Sequence, residues 1–260
     1  MKPEFFGVFD LMIGGGWLFL LIVLLWAIRL KNIEKPHYKW FMPAMLFKLG
    51  FGLLFALTYT KILAEGGDTL AYWEGAIDLN NLFWDSPSAY FAELFQTPSR
   101  ETISQNFNHR TGYPPSWIYF EPESFFICKI LSFFTFFTFN SYIAMTLFCA
   151  LIAGFSSWKF FELTRRFTFC KPWVIIFATL FIPTVAFWCT GISKDTFVVA
   201  AFQIIVALLF SKLLYKKPMH LFSFFLIVVS VFVLFKVRDF MLIATFVPFM
   251  IVLLIRLSKK

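Results

Sequence analysis

The stretch Pro183–Asp195, with the sequence PTVAFWCTGISKD, joins one apolar run to the next through a short polar turn. The first run ends in Cys-Thr-Gly, and Lys194 and Asp195 follow immediately before the second run begins. Ionisable side chains at the end of a membrane segment cost free energy unless a partner or a ligand compensates them. The stretch therefore predicts two membrane helices joined by a turn, whose charges face other parts of the chain.

The composition of the whole chain supports this interpretation. Of its 260 residues, 60% are hydrophobic, 40 are Phe and 9 are Trp, and the mean hydropathy is +0.76. Soluble domains are about 45–50% apolar. Stretches of roughly 17–25 apolar residues, the length of a membrane helix, recur along the chain. We therefore expect an all-α, polytopic integral membrane protein whose surroundings are a lipid bilayer.

The net charge of +8 does not indicate nucleic-acid binding. A nucleic-acid-binding surface gathers its basic residues on one face. Here they fall in short loops between apolar runs, as expected for the cytoplasmic loops of a membrane protein. We expect no nucleic-acid partner.

The apolar runs predict seven spanning helices in a single transmembrane domain that covers residues 1–260. Their approximate bounds are Leu11–Leu30, Phe41–Leu63, Tyr142–Trp158, Trp173–Thr190, Thr196–Phe210, Met219–Phe235 and Phe240–Ile255. Lys48, inside the second run, is expected to snorkel toward the inner face.

Two segments lie outside this pattern. Residues 64–123 form the only long polar segment, which we interpret as an extracytoplasmic loop without an apolar core of its own. Residues 124–139 are apolar, but this run is short and Lys129 interrupts it. We expect residues 124–139 to form a re-entrant or interfacial helix beneath the outer loop.

The distribution of positive charge supports this topology, because basic residues accumulate in cytoplasmic loops. The cytoplasmic loops of the seven-helix topology contain fourteen of the 23 Lys and Arg residues: Arg29, Lys31, Lys35, Lys39, Lys159, Arg165, Arg166, Lys171, Lys212, Lys216, Lys217, Arg256, Lys259 and Lys260. If residues 124–139 spanned the membrane, ten of these would move outside. The predicted N-terminus is therefore outside and the C-terminus cytoplasmic.

Three polar segments then meet at the outer face: residues 65–74, residues 191–196 and residues 236–239. Lys194, Lys236 and Arg238 are exceptions to the positive-inside pattern. Ser193 or Asp195 is expected to cap the helix that begins near Thr196, and Asp239 the helix that begins near Phe240.

Three cations beside two helix N-termini would suit a phosphate or pyrophosphate group, such as that of a lipid-linked phosphate. The alternative is that Lys194–Asp195 and Arg238–Asp239 are local ion pairs that only end helices. The residues alone leave both interpretations open.

Asp68 is the candidate general base of this outer face. Gly66 and Gly67 precede it and permit a sharp turn as the second helix leaves the membrane. Tyr72 would share its face of a helix, and Glu74 follows nearby. A carboxylate at the membrane surface can accept the proton of an attacking hydroxyl. Alternatively, Asp68 is the N-cap of an interfacial helix that starts at Thr69.

Two motifs, Gly-Gly-Asp68-Thr-Leu-Ala-Tyr72 and the FW-x-x-GI-x-KD turn that ends at Asp195, together with the Arg238 turn, resemble a known family. They are similar to bacterial integral-membrane glycosyltransferases of the GT-C superfamily and to related surface-polysaccharide polymerases. The resemblance covers roughly residues 41–250.

This resemblance implies a glycosyltransferase of polysaccharide biosynthesis in the cell envelope, acting on the outer side of the cytoplasmic membrane. Asp68 would act near the acceptor, while Lys194 and Arg238, with Lys236, would bind a polyprenyl-phosphate sugar donor. Tyr72, Glu74 and Asp195 complete the expected substrate-binding set. The chain has fewer helices than most members, and many members carry a second acidic residue near the aspartate, so a divalent metal such as Mg²⁺ or Mn²⁺ is left open.

Two other functions remain open at this point. The aromatic residues of the outer segment would suit a non-catalytic subunit that docks a partner membrane subunit. A transporter of lipid-linked sugars is the third possibility, although ion-coupled carriers need ionisable residues near the bilayer midplane.

Overall fold

The chain folds as a bundle of α-helices. The computed structural model describes residues 5–63, 67–166, 169–215 and 219–258; helix makes up 83% and no strand occurs in these ranges. The expected all-α class is confirmed. Several residues used above lie outside the described ranges: residues 64–66 of the outer segment and Lys216, Lys217, Lys259 and Lys260.

Thirteen α-helices are described in these ranges. They are α1 Val8–Lys31, α2 Phe41–Leu57, α3 Gly67–Asp85, α4 Pro87–Phe95, α5 Arg100–Asn106, α6 Ser116–Tyr119, α7 Pro122–Thr138, α8 Tyr142–Thr164, α9 Pro172–Leu180, α10 Pro183–Trp188, α11 Lys194–Tyr215, α12 Leu221–Val237 and α13 Phe240–Ser258. A 3₁₀ turn, Pro36–Trp40, precedes α2, and a π-helical turn, Thr58–Ile62, extends it.

Five segments are long and apolar enough to cross a membrane. They are Val8–Lys31, Pro36–Ile62, Tyr142–Thr164, Lys194–Tyr215 and Phe240–Ser258. Two further apolar helical segments, Pro172–Trp188 and Leu221–Val237, are shorter. At a rise of about 1.5 Å per residue, a helix needs some 20 residues to cross the hydrocarbon. The five long segments indicate a membrane protein.

Helix α8 lies at the centre of the bundle, in contact with α1, α2, α9 and α11. Small residues allow its neighbours to approach closely. A Cβ on Gly14 of α1 would lie 2.4 Å from Ile143, and a Cβ on Gly154 of α8 would lie 2.7 Å from Met45 of α2. Close approach at small residues is how membrane helices pack without a hydrophobic driving force between them.

A buried carboxylate ties α1 to the start of α8. Asp10 is 1% exposed, and it accepts hydrogen bonds from the Ile143 N–H (3.1 Å) and from the Ser141 hydroxyl. Ser141 in turn caps α8, because its Oγ accepts from the Ala144 N–H at 3.1 Å. Asp10 thus supplies a second acceptor for the unpaired N–H groups at the N-terminus of a central helix.

The polar segment is folded, and we call residues 67–121 the cap. Helices α3–α6 bury the side chains of Trp73, Ile77, Tyr90 and Tyr119, which belong to the same hydrophobic cluster as residues of α7. The apolar side chains of this segment are buried in a cluster that they share with α7, α8, α11 and α12, so the segment packs onto the rest of the protein and does not form a separate core. Eleven of the nineteen residues of α3 are buried.

Helix α7, Pro122–Thr138, lies where residues 124–139 were expected to be helical, and it packs against both the cap and the bundle. On one side, Gly75 of α3 approaches so closely that a Cβ there would lie 2.8 Å from Cys128 Sγ. On the other side, the Phe126 ring packs edge-on against Phe232 of α12, with centroids 5.6 Å apart. Charged and polar residues at the cap end of the bundle can therefore meet across α7.

Lys48 does not snorkel to a membrane face. It lies near the middle of the Pro36–Ile62 segment and is only 3% exposed. Its side chain packs beside Gly154 of α8, where the missing side chain leaves room. The expectation was wrong because α8 packs over this part of α2 and covers the Lys48 side chain.

Candidate functional site at the cap end

The turn that joins α10 to α11 is shaped by the stretch Pro183–Asp195. Helix α10 begins at Pro183, and Cys189–Ser193 form an irregular turn before α11 begins at Lys194. Ser193 Oγ accepts from the Thr196 N–H at 3.2 Å, so the expected Ser193 cap is confirmed. Thr196 Oγ1 donates to the Gly191 carbonyl at 2.6 Å. These bonds direct the first turn of α11 toward the cap.

The same turn packs directly on α2. A Cβ on Gly191 would lie 2.1 Å from the Phe55 ring, and a Cβ on Gly52 would lie 3.3 Å from the Thr190 carbonyl oxygen. Both glycines are needed because the polypeptide backbone and the ring occupy the space of a side chain. The position of Lys194 is thus set by contact between the turn and α2.

Lys194 forms an ion pair with the N-terminus of α7. Its Nζ lies 2.9 Å from Glu121 Oε1, and the lysine side chain is 18% exposed whereas that of Glu121 is 48% exposed. The other carboxylate oxygen of Glu121 accepts a hydrogen bond from the Ser124 hydroxyl. Both bonds stabilise the charged carboxylate, so the Ser124 bond first and the Lys194 bond second lower the pKa of Glu121.

Arg238 forms a second ion pair across two helices. It follows the last residue of α12, and its Nη2 lies 3.2 Å from Asp195 Oδ1 in the first turn of α11. The local pairs Lys194–Asp195 and Arg238–Asp239, considered above, are therefore not the ones that form. Asp239 instead accepts from the Phe240 N–H at 2.7 Å, at the start of α13.

Asp68 lies in the first turn of α3 and is exposed. Helix α3 begins at Gly67, so Asp68 is within the helix and not at its N-cap. Tyr72, one turn later, is 2% exposed, and its hydroxyl lies 3.4 Å from Ser124 Oγ. Burial raises the pKa of Tyr72, and the negative charges of Asp68 and Glu121 nearby raise it further.

These contacts bring the three polar segments together. Tyr72 lies near Asp68 on α3, and its hydroxyl contacts Ser124. Ser124 donates a hydrogen bond to Glu121, and Glu121 forms the ion pair with Lys194. Asp195, next to Lys194 in α11, then pairs with Arg238 at the end of α12. The site combines an exposed carboxylate with two cations whose charge is compensated by carboxylates from other segments.

Two of the predicted residues occupy other positions. Glu74 is partly buried on α3, and six residues of helix turn it about 120° away from Asp68. Lys236 is exposed on α12, and its Nζ lies 5.9 Å from the centroid of the Phe232 ring, which faces α7. Lys236 therefore lies on the α7 side of α12, and its contact there is an aromatic ring.

Glu121 and Ser124 were not given a role in the site by the sequence. Glu121 was assigned to the polar segment 64–123, and Ser124 to the apolar run 124–139. The order Glu121-Pro-Glu-Ser124 is nevertheless typical of a helix N-terminus, where acidic and hydroxyl side chains accumulate. The sequence pattern does not show that Lys194 lies opposite Glu121 in the folded protein.

Whether the site could hold a divalent metal ion depends on its His, Cys, Asp and Glu side chains. In the described ranges no group of three or more His, Cys, Asp or Glu side chains could hold a metal ion. Comparisons of the chain with protein-family models, with curated proteins and with solved structures give no match.

Proposed function

We propose that the protein is a membrane glycosyltransferase that takes a sugar from a polyprenyl-phosphate carrier at the outer face of the bacterial cytoplasmic membrane. The observation that carries this proposal is the position of the Asp68 carboxylate at the same end of the bundle as Lys194 and Arg238. The proposal routes no step through a metal ion.

The proposed topology has seven spanning segments, with the N-terminus outside and the C-terminus in the cytoplasm. The five long apolar segments are joined by Pro172–Trp188 and Leu221–Val237, each 17 residues and about 25 Å long if helical throughout. Helix α7 does not span in this topology; it packs against α3 and α6 of the cap and against α8 and α12 of the bundle. The cap is then extracytoplasmic, and the basic residues near the C-terminal ends of α1 and α8 are cytoplasmic, as the positive-inside rule requires.

In this proposal Lys194 and Arg238 bind the donor phosphate. Each cation now holds a carboxylate, and a phosphate oxygen would replace that carboxylate as hydrogen-bond acceptor. The guanidinium of Arg238 can bind two phosphate oxygens at once. As the bond from the sugar C1 to the phosphate oxygen breaks, the electron pair stays on that oxygen, and the two cations stabilise the departing polyprenyl phosphate.

Asp68 would act on the acceptor. As the acceptor hydroxyl oxygen bonds to C1 of the sugar, its proton passes to the Asp68 carboxylate. The exposure of Asp68 leaves it accessible to a substrate from the outer side. Tyr72, buried beneath it and bonded to Ser124, would keep α3 in register with the Glu121–Lys194 pair.

The test is transfer by the purified protein in nanodiscs, with radiolabelled polyprenyl-phosphate sugars as donors and with lipid-linked oligosaccharides as acceptors. We expect Asp68→Asn to lower kcat at least 100-fold while the protein keeps its thermal stability. The matched control is Glu123→Gln, which removes an exposed carboxylate in the first turn of α7. Full activity of Asp68→Asn, or equal loss in both variants, would exclude the proposed role.

A second function is favoured by the exposed aromatic side chains of the cap. Trp84 near the end of α3 is 73% exposed, and Phe91 and Phe95, four residues apart on α4, are 52% and 88% exposed. Such side chains suit the docking of a partner membrane subunit. If Trp84→Ser with Phe95→Ser abolishes co-purification of a stoichiometric partner, and no transfer is found for any donor, the non-catalytic function is the correct one.

A further inference from the structure

A cleft opens at the end of the bundle opposite the cap, which we call the basic end. It lies between α8, α11 and α12 and encloses about 380 Å³. Its polar lining includes Lys159, Glu162, Lys212, His220 and Ser223. This cleft is unrelated to the site at the cap end, because it lies beside the opposite termini of α11 and α12.

The cleft has an excess of positive charge. Lys159 is compensated, because its Nζ lies 2.8 Å from Glu162 Oε2. Lys212 is exposed, and it forms no ion pair with any side chain in the described part of the chain. One carboxylate thus faces two lysines, and the uncompensated charge is that of Lys212.

Backbone donors add to this charge. Helix α12 begins at Leu221, and its N-cap His220 provides no side-chain hydrogen bond to the first turn. The N–H groups of a first helical turn have no partner within the helix, and they carry the positive end of the helix dipole. His220 and Ser223 both line the cleft, so this uncapped turn borders the same space as Lys212.

An apolar groove continues from the cleft along α11 and α13. It encloses about 460 Å³ and is lined by apolar side chains that include Leu209, Phe249 and Leu253. The groove and the cleft share Lys212 and Met219, so they meet at that point. A polar cleft that opens into an apolar groove matches the polar head group and the apolar acyl chains of a membrane lipid.

Arg256 adds a second basic side chain to this region. It lines the apolar groove, and its Nη1 is shielded from solvent without a hydrogen-bond partner within the described ranges. The Arg256 side chain is otherwise partly exposed, so a phosphate oxygen can approach the guanidinium and supply the acceptor that Nη1 lacks. Arg256 of α13 and Lys212 of α11 both line the groove, so two basic side chains border the same space.

We propose that this cleft and groove together bind one anionic phospholipid. The phosphate lies between Lys212, Arg256 and the first turn of α12, and one acyl chain lies along the α11–α13 groove beside Leu253. Basic pockets between membrane helices bind anionic head groups in this way. The inference does not depend on the activity proposed for the cap end.

The experiment measures lipid binding by the full chain in a neutral detergent. Phosphatidylglycerol is titrated while thermal unfolding is followed, beside phosphatidylcholine with the same acyl chains and beside inorganic phosphate. We expect phosphatidylglycerol to raise the unfolding temperature, and phosphatidylcholine and millimolar phosphate to leave it unchanged. Equal effects of the two lipids, or equal protection by free phosphate, would overturn the proposal.

Variants separate this site from general surface charge. We expect Lys212→Gln with Arg256→Gln to weaken phosphatidylglycerol binding at least tenfold, since each basic side chain contributes separately. The matched control, Lys31→Gln with Lys171→Gln, removes the same charge from exposed positions that do not line the cleft. Equal weakening in the two double variants would contradict a defined site.

A second pair of variants tests the groove without changing charge. Leu253→Trp should fill the groove and lower the affinity for phosphatidylglycerol, whereas Leu254→Trp, on the exposed side of α13, should not. This pair also decides the question if the charge variant does not fold. Unchanged affinity of Leu253→Trp would show that no acyl chain lies there, and the proposal would be wrong.

Discussion

Lys194 and Glu121, 73 residues apart in the chain, form an ion pair with 2.9 Å between Nζ and Oε1. The pair joins the N-terminus of α11 to the N-terminus of α7, so it fixes the cap against the bundle at the candidate site. Both helices would otherwise present the positive end of their dipoles to each other, and the Glu121 carboxylate between them reduces that repulsion.

The strength of this pair can be measured by a double-mutant cycle. We expect Lys194→Ala and Glu121→Ala to show a coupling free energy of about 0.5–1 kcal/mol, because Glu121 remains half exposed and solvent screens the interaction. The measurement is the free energy of unfolding in mixed detergent micelles. The cycle of Lys194→Ala with Glu123→Ala is the control and should show no coupling; similar values in both cycles would argue against a specific pair.

The same pair predicts a pH dependence of stability. The Ser124 and Lys194 bonds lower the pKa of Glu121 below its usual value of 4.5. The carboxyl group is therefore deprotonated at a lower pH in the folded state than in the unfolded state. The stabilisation is complete above pH 4.5 and is lost as the pH falls through the lower pKa of the folded state. The stability difference between the wild type and Glu121→Gln should therefore be constant at neutral pH and should shrink in acid. A difference that grows in acid would contradict this sign.

Asp10 should be important for the folding of the bundle. Replacing Asp10 by Ala leaves the buried Ile143 N–H without its acceptor, and we expect a loss of roughly 2–3 kcal/mol in the free energy of unfolding. The control is Asp85→Ala, since Asp85 ends α3 and is exposed. The measurement is thermal unfolding of both variants in detergent. An Asp10→Ala variant as stable as the wild type would show that the hydrogen bonds of Asp10 to the start of α8 contribute little.

Gly191 should not tolerate a side chain. A Cβ at this position would lie 2.1 Å from the Phe55 ring, so Gly191→Ala must displace either the ring or the turn, at a cost of roughly 1–3 kcal/mol. Gly15→Ala is the matched control, because no atom lies within 4 Å of a Cβ there and alanine favours the helix. Equal stability of the two variants would contradict the close approach of the turn to α2.

Several features of this site were predictable from the sequence because they depend on nearby residues. The Ser193 cap needs only a hydroxyl before an apolar helical run, and the proximity of Asp68 to Tyr72 follows from a spacing of four residues. The burial of the cap was not predicted, because its apolar residues are scattered among polar ones along the chain. They are covered only when α3 packs against α7.

The pairing of the charges could not be read from the sequence. Lys194 has Asp195 beside it in the chain, and Arg238 has Asp239, yet the observed partners are Glu121 and Asp195. Lys194 and Asp195, neighbours in the first turn of α11, project about 100° apart and so do not face each other. Residues from separate helices that pack side by side can do so.

The sequence by itself determined that this protein is helical and apolar enough for a membrane, because run length and composition act locally along the chain. It also determined where the polar turns lie. Only the tertiary structure decided that α7 packs against both the cap and the bundle, that Lys48 is buried, and that Glu121 reaches Lys194. Those contacts depend on how closely helices pack at Gly52, Gly75 and Gly154, and that depends on residues far apart in the chain.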